Sequence, residues 1–174
     1  MENKDKYDEA VYKALFDFQL KEFDDTKAQH SKLEDKAAKY LTFTSIIIAA
    51  LSIFSKQYLF DTNEKDFLFY IIVFLIVLIF ISLCCIARFL FHVVEVSEVG
   101  RLKSDSEMIN FFIQNDLPTV QYNLAKDLTQ AIQMYDARNR IKVNYLKNAF
   151  KEIKFCGLLL VLTVILIVID TLVI

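Results

Sequence analysis

At 174 residues the chain has room for one domain at most. Hydrophobic residues make up 55% and charged residues 24%, segregated along the chain, and two Gly with one Pro are too few for a β-rich or loop-rich fold. The net charge of −2 gives no reason to expect nucleic acid as a partner.

The first 39 residues are charged and lack an apolar core, so no secretory signal is expected there. Glu2–Lys39 contains no Gly or Pro, and Tyr7, Val11, Ala14, Leu15 and Phe18 recur at helical spacing. This pattern predicts an amphipathic helix, packed against other helices and continuous with the span that follows. Acids balance its lysines, which argues against a basic surface-binding helix.

Three apolar runs follow. A membrane helix needs about 20 mostly apolar residues. Tyr40–Phe60 qualifies if Lys56 snorkels to the far interface. Phe67–Ala87 carries no charge, and the apolar run extends to Val94. Phe155–Ile174 carries only Asp170 and would be about 30 Å long at 1.5 Å per residue. The expected architecture is an all-α integral membrane protein with three transmembrane helices and cytoplasmic helical extensions. Its expected segments are 1–39 (amphipathic helix), 40–60, 67–94 and 155–174 (spans), and 95–154 (a cytoplasmic helical region).

Lys and Arg set the orientation. Eight lysines precede the first span, two lie in the connection Lys56–Asp66, and ten bases lie between Arg88 and Lys154. The N-terminus and the long segment are therefore expected in the cytoplasm, and the C-terminus outside.

Gly100 is a plausible break, followed by a short helix over Arg101–Gln114 with Met108, Phe111 and Phe112 as its apolar side. Pro118 marks the first turn of the next helix, and no breaker follows until Gly157. Leu124, Leu128, Ala131, Tyr135, Arg138, Lys142, Tyr145 and Ala149 follow a 4-3 repeat, the period of a coiled-coil seam.

Charge along this helix is uneven. Glu95–Asp136 holds seven acids against three bases, whereas Arg138–Lys154 holds six bases against Glu152. Lys151, Lys154 and by extension Lys147 are explained by anionic head groups at the membrane, each worth about 1 kcal/mol. Arg138, Arg140 and Lys142 lie further along the chain from the span than lipid contact requires. With Asn139 and Asn144 as hydrogen-bonding partners and Tyr135 and Tyr145 as stacking partners, they form a candidate anion or nucleotide site.

The first span carries a second candidate feature. Thr42, Ser45, Ala49, Ser52 and Lys56 follow a 4-3 repeat, and Cys156, Thr163 and Asp170 recur at sevens in the last span. Small residues allow close helix packing. The sharper alternative is a hydrophilic stripe lining a pore between copies, because three helices cannot enclose a water channel alone.

Catalytic and metal-binding patterns are missing. His30 and His92 have no ligand at metal spacing and read as surface histidines, and no Gly-rich phosphate loop occurs. Cys84, Cys85 and Cys156 read as buried thiols rather than a disulfide framework. No enzyme activity, metal or cofactor is expected.

Two stretches carry a family likeness. One is Asp35-Lys36-Ala37-Ala38-Lys39-Tyr40-Leu41-Thr42-Phe43-Thr44-Ser45-Ile46, leading into the first span. The other is Arg140-Ile141-Lys142-Val143-Asn144-Tyr145-Leu146-Lys147-Asn148-Ala149-Phe150, leading into the last. Together with the two closely spaced spans and the helical segment, they resemble the Pycsar-type membrane effectors of bacterial anti-phage defence. Glu2–Lys32 has no counterpart in that family's pattern. The resemblance implies a dormant protein of the bacterial inner membrane that assembles into a homo-oligomer on an infection signal and permeabilises the bilayer. The trigger would be a cyclic nucleotide or a protein sensor, with Arg138, Arg140 and Lys142 as the activating anion contact. A second function fits the same residues: a non-toxic membrane scaffold or regulatory subunit holding a soluble partner.

Overall fold

The computed structural model describes residues 9–61, 66–95 and 105–173. All the regular structure among them is helical. The elements are α1 (Glu9–Asp61), α2 (Phe67–Val94), α3 (Ser106–Gln114) and α4 (Leu117–Val173). Helices α1, α2 and α4 are long and apolar enough to cross a membrane. The extension before the first apolar run and that run form one helix, as do the basic segment and the last run. The expected break at Gly100, Tyr7 of the N-terminal stripe and the start of the Arg101–Gln114 helix lie outside the described residues.

Local chemistry sets the helix starts. Asp66 caps α2 by accepting from the Phe69 backbone N–H at 3.0 Å, and Asp105 caps α3 by accepting from Met108 N–H at 3.0 Å. Pro118 sits in the first turn of α4, where its missing N–H has no intrahelical partner to lose.

The chain divides into two compact units. The second comprises Leu33–Glu95 and Lys142–Ile174. Its centre is one stripe of α2: Phe69, Ile72, Ile76, Ile79, Leu83, Ile86, Leu90 and Val93, all buried. The steps between them alternate three and four, the period that keeps one face against a left-handed supercoiled neighbour. Helix α4 answers with Leu146, Ala149, Cys156 and Leu159, and α1 with Ala37 and Leu51. Within this unit α1 and α4 run parallel, since the pairs Glu34–Lys142, Tyr40–Phe150 and Tyr58–Asp170 advance together. Helix α2 runs against α4: Ser82 lies beside Cys156, and His92 stacks on Tyr145.

The first unit comprises Met1–Lys32 and Val96–Ile141. Here α1 and α4 are again parallel, through Tyr12–Tyr122, Phe23–Tyr135 and His30–Asn139. Helix α3 and α4 border a cleft with Met108, Phe111 and Leu124 in its lining, while Phe112 faces outward, contrary to the expected apolar side.

Two seams differ from expectation by one residue. On α1, Val11, Ala14, Leu15 and Phe18 are exposed, and the inward positions are Tyr12, Phe16, Gln19 and Phe23. This inner row continues through Thr26 and His30 in strict 4-3 steps. On α4 the row runs Leu124, Leu128, Ala131 and Tyr135, then steps by four to Asn139 instead of by three to Arg138. Two consecutive steps of four form a stutter, which locally unwinds the seam. It leaves Arg138 exposed and puts Leu146, not Tyr145, in the buried row.

In lipid, helix association rests on contact packing rather than on escape from water. Ile79→Ala opens a cavity in the fully buried stripe, while Ile81 is 55% exposed. Ile79→Ala should cost about 1–3 kcal/mol and lower the melting temperature in detergent, and Ile81→Ala should leave it unchanged.

Candidate functional site

In the first unit, the buried row of α1 and α4 carries a hydrogen-bonded polar layer. Asn139, only 4% exposed, donates its Nδ2 to the Thr26 carbonyl at 3.3 Å. That bond orients the amide, so Oδ1 faces His30 Nδ1 at 2.8 Å. An amide oxygen only accepts, so His30 carries its proton on Nδ1. Tyr135 places a ring edge against His30 at 5.4 Å and against Phe23 at 5.7 Å. His30 is thus a buried histidine in a packed layer, not the surface histidine expected. Thr26 donates its own hydroxyl to the Glu22 carbonyl at 2.8 Å.

In the second unit, Lys142 is 4% exposed and its ammonium is paired with the Glu34 carboxylate. His92 lies on Tyr145 with ring centres 4.9 Å apart and 23° between planes, and it bonds Glu95 at 3.2 Å. Tyr40 meets Phe150 edge-on at 5.0 Å.

The expected anion-site residues are therefore distributed over several environments. Asn139 and Lys142 point inward and are engaged in internal bonds. Arg138, Arg140 and Asn144 are exposed, and Tyr135 and Tyr145 are half-buried in aromatic contacts. Arg138 and Arg140, two residues apart, diverge by about 200° around the helix.

The spans show an equally clear partition. Thr42, Ser45, Ala49, Ser52 and Lys56 all face outward from the chain. The hydroxyls of Thr42, Ser45 and Ser52 donate to the carbonyls of Ala38, Leu41 and Ile48, at 2.7–3.1 Å. The inward polar groups are Thr44 and Ser55 on α1, Ser82 on α2 and, from the expected seam, Thr163 and Asp170 on α4. Asp170 accepts from the Tyr58 hydroxyl at 3.1 Å, and Tyr58 also stacks on Phe69. Cys156 is buried as expected, but Cys84 and Cys85 are exposed, because the α2 stripe turns Leu83 and Ile86 inward instead.

Thr26, His30, Glu34 and Tyr58 were not among the expected site residues. Extending the 4-3 row of α1 from Tyr12 would have found Thr26 and His30. Nothing in the sequence pairs Glu34 with Lys142 or Tyr58 with Asp170. Among the described residues, no group of three or more His, Cys, Asp or Glu side chains could hold a metal ion. No protein-family model, no curated protein and no solved structure matches the chain significantly.

Substitutions at Asn139, Glu34 and Arg138 separate the internal polar pairs from the exposed bases. Asn139→Leu leaves the His30 Nδ1–H without its acceptor and should cost about 1–3 kcal/mol, partly recovered in His30→Leu/Asn139→Leu. Thermal unfolding followed by circular dichroism in detergent would measure both. Glu34→Ala leaves a buried ammonium unpaired and should cost about 2 kcal/mol or more, whereas Arg138→Ala should fall within about 0.5 kcal/mol of the parent.

Proposed function

We propose that this chain is a bacterial inner-membrane effector of anti-phage defence that acts without catalysis, by assembling copies of itself and permeabilising the bilayer. The observation that carries this reading is the outward stripe Thr42–Lys56 on a helix apolar enough to span a membrane. The interior of the three-helix unit is filled: Ile72, Ile79, Leu83, Ile86 and Leu90 are buried to within 2%. Water therefore has no path through one chain, and any conducting path has to form between chains. The hydroxyls of the stripe are satisfied by their own backbone, and its small side chains let the backbone of another copy approach closely. Only 17% of the most apolar stretch of α1 or α4 is buried, against 44% for α2. Both outer helices thus retain surface for further packing.

In this reading the N-terminus and the segment carrying α3 lie in the cytoplasm and the C-terminus outside, following the distribution of Lys and Arg. The parallel course of α1 and α4 within the second unit supports it, because both apolar runs then cross in the same sense. A cyclic nucleotide or a sensor protein would bias assembly from the cytoplasmic side, with the exposed Arg138 and Arg140 as the available anion contacts.

A second reading rests on a separate observation. Val11 and Phe18 of α1 and Ile109, Phe112 and Ile113 of α3 expose 50–76% of their surface outside the three apolar runs. Exposed apolar stripes of this kind suit a scaffold that holds a soluble partner.

Induced expression in bacterial cells distinguishes the two. The effector reading expects collapse of membrane potential, read by a potential-sensitive dye, and relief by Ser45→Leu/Ser52→Leu with unchanged membrane insertion. Full potential and intact dye exclusion under triggering conditions, together with stable co-purification of a soluble protein dependent on Val11 and Phe18, would replace it with the scaffold. A C-terminal reporter should be active outside the inner membrane, and an N-terminal one inside.

A further inference from the structure

We infer that the second unit carries a discrete binding cleft for the phosphate of an anionic lipid head group, where α4 passes into its apolar run. The cleft has a volume of about 510 Å³ and is lined by Asn144, Lys147, Asn148, Phe150, Lys151 and Lys154. No carboxylate lines it. At 100° per residue, the two asparagines and three lysines fall within about a third of the helix circumference. Their ammonium and amide N–H groups are all hydrogen-bond donors to a phosphate oxygen. Lys147 and Lys151 stand four residues apart, a like-charge spacing that is unfavourable on an isolated helix and relieved by a bound anion.

The cleft is lined by α4 alone, and α1 braces its aromatic wall from behind. Phe150 forms its apolar side, and Tyr40 of α1 holds that ring edge-on at 5.0 Å. The Lys36 ammonium, also from α1, lies 5.5 Å from the centre of the same ring. A fourth cation is thereby fixed beside the cleft through a cation–π contact. Diffuse interfacial charge needs neither the concavity nor the amides nor this aromatic wall.

The face continuing from the cleft along α4 identifies the kind of phosphate. Phe155, Leu158, Leu162 and Ile165 lie on the same side of the helix and are 41–65% exposed. A lipid fits this order of groups, its phosphate among the lysines and its acyl chains along the apolar side chains. A free phosphate would use only the upper half. Basic pockets at the ends of spanning helices bind anionic head groups on this principle. The inference is independent of the effector reading.

The test is titration of the full chain in detergent with phosphatidylglycerol, phosphatidylcholine or inorganic phosphate, followed by native mass spectrometry. Phosphatidylglycerol should bind more tightly than phosphatidylcholine. Lys147→Ala/Lys151→Ala should weaken it about thirtyfold, from the worth of two interfacial lysines. Lys147→Arg/Lys151→Arg should retain it with the same helicity, and Leu158→Ser should weaken lipid without affecting phosphate. Lys39→Ala, an exposed lysine outside the cleft, should change nothing. Equal loss from Lys39→Ala would reduce the cleft to diffuse charge and overturn the inference. Unaltered binding in the double alanine variant would do the same. Occupancy by inorganic phosphate at the concentrations effective for lipid would reassign the site to a soluble ligand and overturn the lipid assignment.

Discussion

The second unit depends on the buried stripe of α2. Phe69 to Val93 presents eight apolar side chains in alternating steps of three and four, and those from Ile79 to Val93 share one buried cluster with Ala37, Leu51, Leu146, Ala149, Cys156 and Leu159. In a bilayer this contact gains nothing from expelling water, because lipid is as apolar as the partner helix. It gains from shape, which explains the composition of the answering faces. Ala37, Ala149 and Cys156, all at 3% exposure or less, bring the α1 and α4 backbones close enough for the Ile and Leu side chains of α2 to fill the gaps. The same stripe dictates what faces outward. Once Leu83 and Ile86 point inward, Cys84 and Cys85 cannot.

Apolar packing alone does not choose one register of α1 against α4, since a Leu-rich face fits its neighbour at several offsets. The buried polar pairs do. In the first unit, His30 and Asn139 satisfy each other only when Thr26 also lies within reach of the amide. In the second, Glu34 neutralises Lys142 near one end of the unit and Tyr58 reaches Asp170 near the other. A slip of one turn would break these pairs, at about 1–3 kcal/mol for the buried Asn139 amide and more for the buried Lys142 ammonium. Polar groups at a few seam positions fix register in coiled coils by the same mechanism.

The spans were legible because their signal is length, and nothing else in a chain this poor in Gly and Pro competes with it. The inward face of α1 was not. Val11-Leu15-Phe18 and Tyr12-Phe16-Phe23 are both apolar rows at 4-3 spacing, one residue apart, so periodicity alone cannot choose between them. On α4 the repeat itself was real, but one step of four in place of three at Asn139 moves the row from Arg138 to Asn139 and from Tyr145 to Leu146, while Lys142 and Ala149 stay on it. Extending the regular repeat put Arg138 and Tyr145 on a seam that belongs to Asn139 and Leu146. Lys142 looked like a ligand contact because its partner Glu34 is 108 residues distant in the chain. Long-range pairing leaves no local trace.

The basic stretch Arg138–Lys154 therefore divides by helical phase rather than by distance from the membrane. Lys142 falls on the buried row and is consumed by the fold. Lys147, Lys151 and Lys154 fall together on one exposed arc, with Asn144 and Asn148 between them and an apolar face beyond. Arg138 and Arg140 fall on neither and on opposite sides of the helix, which makes them poor partners for a single small anion within one chain. In the effector reading proposed above, Arg138 and Arg140 would therefore meet one anion only where different copies supply them.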